Sequence, residues 1–147
     1  MTLKERLQED LKIAMKEKDT IRKNVVVMMK AAVLQVEKDK KIELDDEGVI
    51  EVLAKGVKQR KDAIPEFEKG NRLDVVEDLK REIEVLMAYL PQQLSEDEIR
   101  KIVSDTISEV GATSAKEMGK VMGALQPKIK GRADGKLVNT IVKEILG

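Results

Sequence analysis

From Leu3 to Leu146, apolar residues recur every three or four positions and almost nowhere in alternation. That period lines one face of an α-helix, whereas a half-buried strand needs a period of two. A chain written this way folds by packing amphipathic helices on one another, and the expected class is all-α.

Thr2 and Glu5 have the spacing of a capping box ahead of a stripe formed by Leu3, Leu7, Leu11 and Met15. Asp19 or Thr20 can cap a second helix with Ile21, Val25, Met28, Met29, Ala32 and Val36 inward. Its centre, residues 25–29, is apolar all round, as in a helix packed on several sides. Asp45-Asp46-Glu47 opens a third helix, since acids favour the positive end of the helix dipole. Val49, Leu53 and Val57 give its stripe, Pro65 kinks or shortens it, and Gly70-Asn71 ends it. A fourth helix spans about residues 73–89, with Val76, Leu79, Ile83, Leu86, Met87 and Leu90 inward.

Leu90-Pro91-Gln92-Gln93-Leu94 breaks the pattern, and Ser95 with Glu98 starts it again with a second capping box. The next helix carries Ile99, Ile102, Val103 and Ile107 and ends at Gly111. Another begins at Thr113 or Ser114, with Glu117 completing a box, and reaches about residue 130. The last covers about residues 133–146, with Leu137, Val138, Ile141, Val142 and Ile145 inward. The expected architecture is an N-terminal four-helix domain over residues 1–91 and a three-helix tail over residues 92–147.

Composition limits the chemistry such a bundle can do. The chain has no cysteine, histidine or tryptophan, and its only rings are Phe67 and Tyr89. That leaves no disulfide framework, no thiolate or imidazole metal site, and no Cys–His or Ser–His nucleophile pair. No side chain has an unperturbed pKa suited to proton transfer near neutrality. Two rings cannot form the stacking platform of single-strand RNA-binding sheets and barrels. Catalytic residues, a metal and a cofactor are therefore not expected, nor is independent catalysis. The N-terminal Met1-Thr2-Leu3-Lys4-Glu5-Arg6 has mixed charge, unlike a signal peptide. No window approaches the ~18 consecutive apolar residues of a membrane span. The expectation is a cytoplasmic protein without a membrane partner.

The 28 basic and 28 acidic residues cancel overall but not locally. Residues 1–90 hold 19 basic and 20 acidic side chains, and residues 91–115 hold 2 and 5. Residues 116–143 hold 7 basic against 2 acidic, a net of +5. The basic set is Lys116, Lys120, Lys128, Lys130, Arg132, Lys136 and Lys143. Such a segment is either a footprint for a polyanion or a set of lysines decorating solvated helix faces. Within it, Gly131-Arg132-Ala133-Asp134-Gly135-Lys136 forms a turn into the last helix. Backbone N–H groups at a helix start can bind phosphate, but Asp134 as N-cap puts a negative charge there. The phosphate-loop pattern also fails, because its glycines stand one residue too close and Leu137 follows Lys136. Gly119 and Gly123, one turn apart, let another backbone come close, and packing within the chain is the expected use.

Two stretches resemble the YqeY family. They are Tyr89-Leu90-Pro91-Gln92-Gln93-Leu94-Ser95, and Met118-Gly119-Lys120-Val121-Met122-Gly123 with Gly131-Arg132-Ala133-Asp134-Gly135-Lys136-Leu137-Val138-Asn139. The resemblance covers essentially the whole chain. The C-terminal part, from about Ser95, is also similar to the tail domain of GatB, the tRNA-binding subunit of the tRNA-dependent amidotransferase. Gly119, Val121, Met122, Gly131, Ala133, Val138 and Asn139 match that tail, and Arg132 keeps the charge of its lysine. Asp134-Gly135 replaces its asparagine–proline step, and the interval from Met122 to Gly131 is about one helical turn longer.

The resemblance implies a non-catalytic accessory protein that binds tRNA or another structured RNA, since the GatB tail helps grip the outer corner of tRNA. Lys120, Lys128, Lys130, Arg132 and Lys136 would contact phosphates, and Asn139 would cap or orient the turn. Recognition would go by shape and backbone. Two alternatives stand beside it. One is an amidotransferase-like protein, a carbon–nitrogen ligase with glutamine as amide donor, or an accessory subunit or protein partner of that or the tRNA-charging machinery. The other is a helical protein-interaction module.

Overall fold

A computed structural model describes residues 1–147, the whole sequence. Its helices are α1 (Leu3–Glu17), α2 (Thr20–Lys40), α3 (Asp46–Lys69), α4 (Leu73–Met87), α5 (Glu96–Val110), α6 (Met118–Ile129) and α7 (Gly135–Leu146). A short 3-10 turn, Ala115–Glu117, precedes α6, and there are no strands. Contacts divide the chain into two compact units, Met1–Leu90 and Pro91–Gly147.

In the first unit each of the first three helices starts on a side-chain cap. The Thr2 hydroxyl accepts from the Glu5 N–H, the Asp19 carboxylate from Arg22, and the Asp45 carboxylate from Gly48. These caps satisfy N–H groups that the first turn leaves without partners. The core joins Leu7 of α1, Val25, Val26, Met29 and Val33 of α2, Val49, Leu53 and Val57 of α3, Leu86 of α4, and Tyr89. Helix α3 continues through Pro65 rather than ending there. Pro65 and Lys61, whose carbonyl loses its partner, are both exposed, so that carbonyl is not left buried without a bond.

The stripes differ from their sequence-based assignment at the margins. Towards the end of α1 the buried position is Ala14, and Met15 is exposed. Each step of four residues overshoots a turn by about 40°, so after three steps the row has left the buried face. Helix α2 packs against α1, α3 and α4, as its apolar centre suggests, and keeps one open face on which Val27, Met28 and Leu34 are exposed.

In the second unit Ser95 and Glu98 form a complete capping box at the start of α5. Gly111, at φ 70°, ends that helix in the left-handed conformation that glycine adopts without a Cβ clash. The Glu117 carboxylate accepts from the Thr113 N–H at 3.0 Å. That bond closes a loop rather than a helical turn, and α6 starts at Met118, later than expected. The core gathers Ile99 and Val103 from α5, Val121, Leu125 and Ile129 from α6, and Val138, Ile141 and Val142 from α7. Leu137 and Ile145, expected inward, are exposed at the edges of α7.

Candidate nucleic-acid interface

The basic segment falls on α6, the turn after it, and α7. On α6 the residues Val121, Leu125 and Ile129 are buried, which turns Gly119, Lys120, Gly123, Gln126 and Pro127 outward. Lys116 and Lys130, at the two ends of the helix, are exposed as well. By helical spacing Gly119, Lys120, Gly123, Gln126 and Pro127 share one face of α6, Lys116 lies in the 3-10 turn before it and Lys130 caps its end, and none of these residues is a carboxylate.

The two glycines contradict the expectation that they serve packing within the chain. A Cβ added at either Gly119 or Gly123 would meet nothing within 4 Å. Glycine destabilises a helix interior by about 1 kcal/mol relative to alanine, so Gly123 lowers stability with no internal compensation. What it leaves is a low surface on which another backbone can come close to the helix axis.

The other candidate cations separate into different settings. Lys128 lies on the α5 side of α6, where its ammonium donates to Thr106 Oγ1 at 2.8 Å and Glu109 Oε2 at 2.9 Å. Thr106 is fully buried, and its hydroxyl donates in turn to the Ile102 carbonyl at 2.7 Å. Lys128 is therefore a tie between α5 and α6, not a member of the Lys120 face. Arg132 is half-buried, and its Nε donates to the Gln92 carbonyl at 3.4 Å. Lys136 is exposed in the first turn of α7, and Lys143, two turns further on, shares its face by helical spacing. Asn139 is half-buried on α7, and the cap of that helix is Asp134, which accepts from the Lys136 N–H at 2.9 Å. The carboxylate thus occupies the place where a phosphate would meet the helix start.

Sequence reasoning missed the way the two family-like motifs meet. The Leu94 N–H donates to the Arg132 carbonyl at 2.9 Å. The Gln93 side-chain amide donates to the Gly131 carbonyl at 2.8 Å and the Pro91 carbonyl at 2.9 Å. Pro91-Gln92-Gln93-Leu94 is therefore a strap holding the 131–132 turn in place, rather than a bare linker. No local signal reveals it, because the partners stand some 38 residues apart.

The surface charges have ordinary structural partners elsewhere in this unit. Arg100 bridges Glu96 and Glu144, both at 2.9 Å, and those bonds raise its already high pKa further. Glu98 is held below the usual carboxylate range, chiefly by the Ser95 backbone and then by the Ser95 hydroxyl. No cluster of carboxylates is placed to hold a metal ion.

The sequence pattern of the Yqey-like protein family matches residues 4–146. Among curated relatives, the "Altered inheritance of mitochondria protein 41, mitochondrial" of Pyrenophora tritici-repentis is 32% identical over 147 residues, covering 97% of this chain and 80% of that protein. Its namesake in Lachancea thermotolerans is 38% identical over 107 residues, covering 71% of this chain and 57% of that protein. A local similarity reaches one of the glutamyl-tRNA(Gln) amidotransferase subunits of Thermococcus gammatolerans. It is 39% identical over 54 residues, or 34% of this chain and 9% of that much longer protein. The names of the fungal relatives place those proteins in mitochondria, which overturns the cytoplasmic location read from the sequence. No helix is long and apolar enough to cross a membrane. That property says nothing of compartment, which is set by receptor-read address segments.

Proposed function

The chain belongs to the YqeY family, and from that premise we propose that its second unit binds the backbone of tRNA or a similarly structured RNA. The observation that carries the reading is the outward face of α6, where Lys116, Lys120 and Lys130 flank two glycines that nothing in the chain covers. Lysines supply the charge for phosphates, and the glycines let a ribose–phosphate strand lie close to the helix. Lys136, at the start of α7, adds a further charge beyond the turn. Arg132 ties that turn to the Gln92 carbonyl, while Lys128 contributes only if it leaves Glu109. The similarity of the chain to part of a tRNA amidotransferase favours the same ligand.

The test is a titration with total tRNA across a salt series, on the native chain and on Lys120→Glu/Lys130→Glu/Lys136→Glu. Three phosphate contacts give a log–log salt slope of about −2 to −3. The triple variant is expected to lose most of its affinity, and Lys128→Met to lose little. Absence of binding at low salt, or equal binding by the triple variant, would refute the reading.

The same local similarity favours one second reading, an accessory role beside an enzyme that transfers an amide from glutamine to a tRNA-borne substrate. The chain shows no nucleophile–base pair for doing this alone. Glutaminase activity of an amidotransferase, measured with and without the purified chain, separates this role from RNA binding alone.

A further inference from the structure

Five of the exposed large apolar side chains sit on the α1–α2 hairpin: Ile13, Met15, Val27, Met28 and Leu34. On α2 three of them are 45%, 54% and 53% exposed, for Val27, Met28 and Leu34 respectively. With exposed Ala31 they follow the spacing i, i+1, i+4, i+7 and form one outward stripe opposite the buried Val26, Met29 and Val33. The stripe is therefore no extension of the core.

Its borders are mainly basic. By the same spacing Lys23, Lys30 and Lys38 lie along this face of α2, and Asp39, eleven residues on from Met28, is the one exposed α2 carboxylate at its edge. Lys23 and Lys38 have no carboxylate partner, while Lys30 donates to the Gln8 side chain of α1. Asp39 accepts from the Gln35 side chain at 2.8 Å, and the other α2 carboxylate, Glu37, is bound by Lys4. The α1–α2 segment as a whole, residues 1–41, holds 11 basic and 7 acidic side chains.

Next to the stripe the surface is concave. A recess of about 290 Å³ opens between α1 and α2, floored by Leu7, Ala31, Val33 and Leu34. The Lys4–Glu37 pair and Lys30 form its walls. A recess of that size takes one large apolar side chain, and the stripe beside it takes the next turns of a helix.

We propose that the α1–α2 face is a docking site for an acidic amphipathic helix of a partner protein. An apolar anchor of that helix would seat over Leu7 and Leu34, and its flanking carboxylates would meet Lys23, Lys30 and Lys38. A membrane surface fits less well. Interfacial helices carry Trp, Phe and long leucine rows on a convex face, whereas this face is partly hollow and contains no ring. The site lies in the first unit and is independent of the RNA reading.

The probe is a pair of synthetic amphipathic helices of about five turns, sharing one leucine stripe and flanked by Glu in one and by Lys in the other. Binding is followed by fluorescence anisotropy, and circular dichroism checks that every variant keeps its helices. The Glu-flanked peptide is expected to bind, more weakly as salt rises. Leu34→Glu should reduce that affinity about tenfold or more, and Lys23→Glu/Lys38→Glu should shift preference to the Lys-flanked peptide. Leu73→Glu, at an exposed apolar position on α4, should change nothing. Four results would each overturn the proposal. They are no binding of either peptide at millimolar concentration, equal binding of both, Leu34-dependent binding to phosphatidylglycerol vesicles instead, or a dimer in sedimentation velocity that Leu34→Glu abolishes.

Discussion

Tyr89 is the one tyrosine in the chain and, at 6% exposure, one of its few buried polar tips. Its hydroxyl donates to the Asp10 carboxylate, which Arg22 also approaches at 3.3 Å, and the Arg6 guanidinium stands 4.5 Å from the ring centroid. Burial, and then the bond to Asp10, push the phenol well above the ordinary tyrosine value. A folded-state pKa raised in this way contributes stability that is complete below the ordinary value of about 10 and declines as pH rises past it. With a single tyrosine, absorbance at alkaline pH reports this group alone, and ionisation is expected only together with unfolding. Tyr89→Phe should cost about 1–2 kcal/mol in urea unfolding at neutral pH and should remove this part of the alkaline dependence. Arg60 offers a different test, being 7% exposed and bonded to Glu82 at 3.2 Å and the Gly56 carbonyl at 3.1 Å. Glu82→Ala leaves a buried cation short of its partner and should destabilise by about 2–3 kcal/mol, whereas Arg60→Met/Glu82→Leu should recover most of that loss.

Helix starts are readable from the sequence because a cap is a bond across three residues, as at Thr2, Asp19, Asp45 and Ser95. The width of each buried face is not, because it depends on which helix lies alongside. Met15, Met28, Leu137 and Ile145 fit a 3,4 period and are nonetheless exposed. The candidate site shows the same division. The concentration of lysines can be counted, but Lys128 is claimed by Glu109 and Arg132 by the Gln92 carbonyl, partners that lie 19 and 40 residues away. Three predictions belong at this scale. Gly123→Ala should stabilise α6 by up to about 1 kcal/mol, since the added methyl meets nothing. On the RNA reading it should also weaken tRNA binding, so thermal stability and affinity would move in opposite directions. Ser95→Ala should cost about 1 kcal/mol through the lost cap. Because Glu98 has a lowered folded pKa, its contribution is present above the ordinary carboxylate value and is lost as pH falls through the folded one. Acid unfolding of Glu98→Gln should accordingly be less steep than that of the native chain.

For the whole molecule, a formal net charge of zero conceals an uneven distribution. Positive charge on the second unit is concentrated in residues 116–143, while on the first unit Lys23, Lys30 and Lys38 follow an apolar stripe on α2. Each unit has its own buried cluster, so each has the means to fold by itself. A unit as small as Pro91–Gly147 has a core worth only about 3–5 kcal/mol, however, and cannot spare many contacts. The strap is the contact to watch. A piece starting at Pro91 keeps the Gln93 and Leu94 bonds to the 131–132 turn, whereas one starting at Ser95 loses all of them together with the packing of Leu94. The longer piece is expected to melt cooperatively and to bind tRNA with the salt slope of the full chain. The shorter should stay helical but melt at a lower temperature and bind more weakly, because its basic turn is no longer held. If both pieces melt alike, the strap carries no stability. If the longer piece folds but binds no tRNA while the full chain does, the RNA surface is not confined to the second unit.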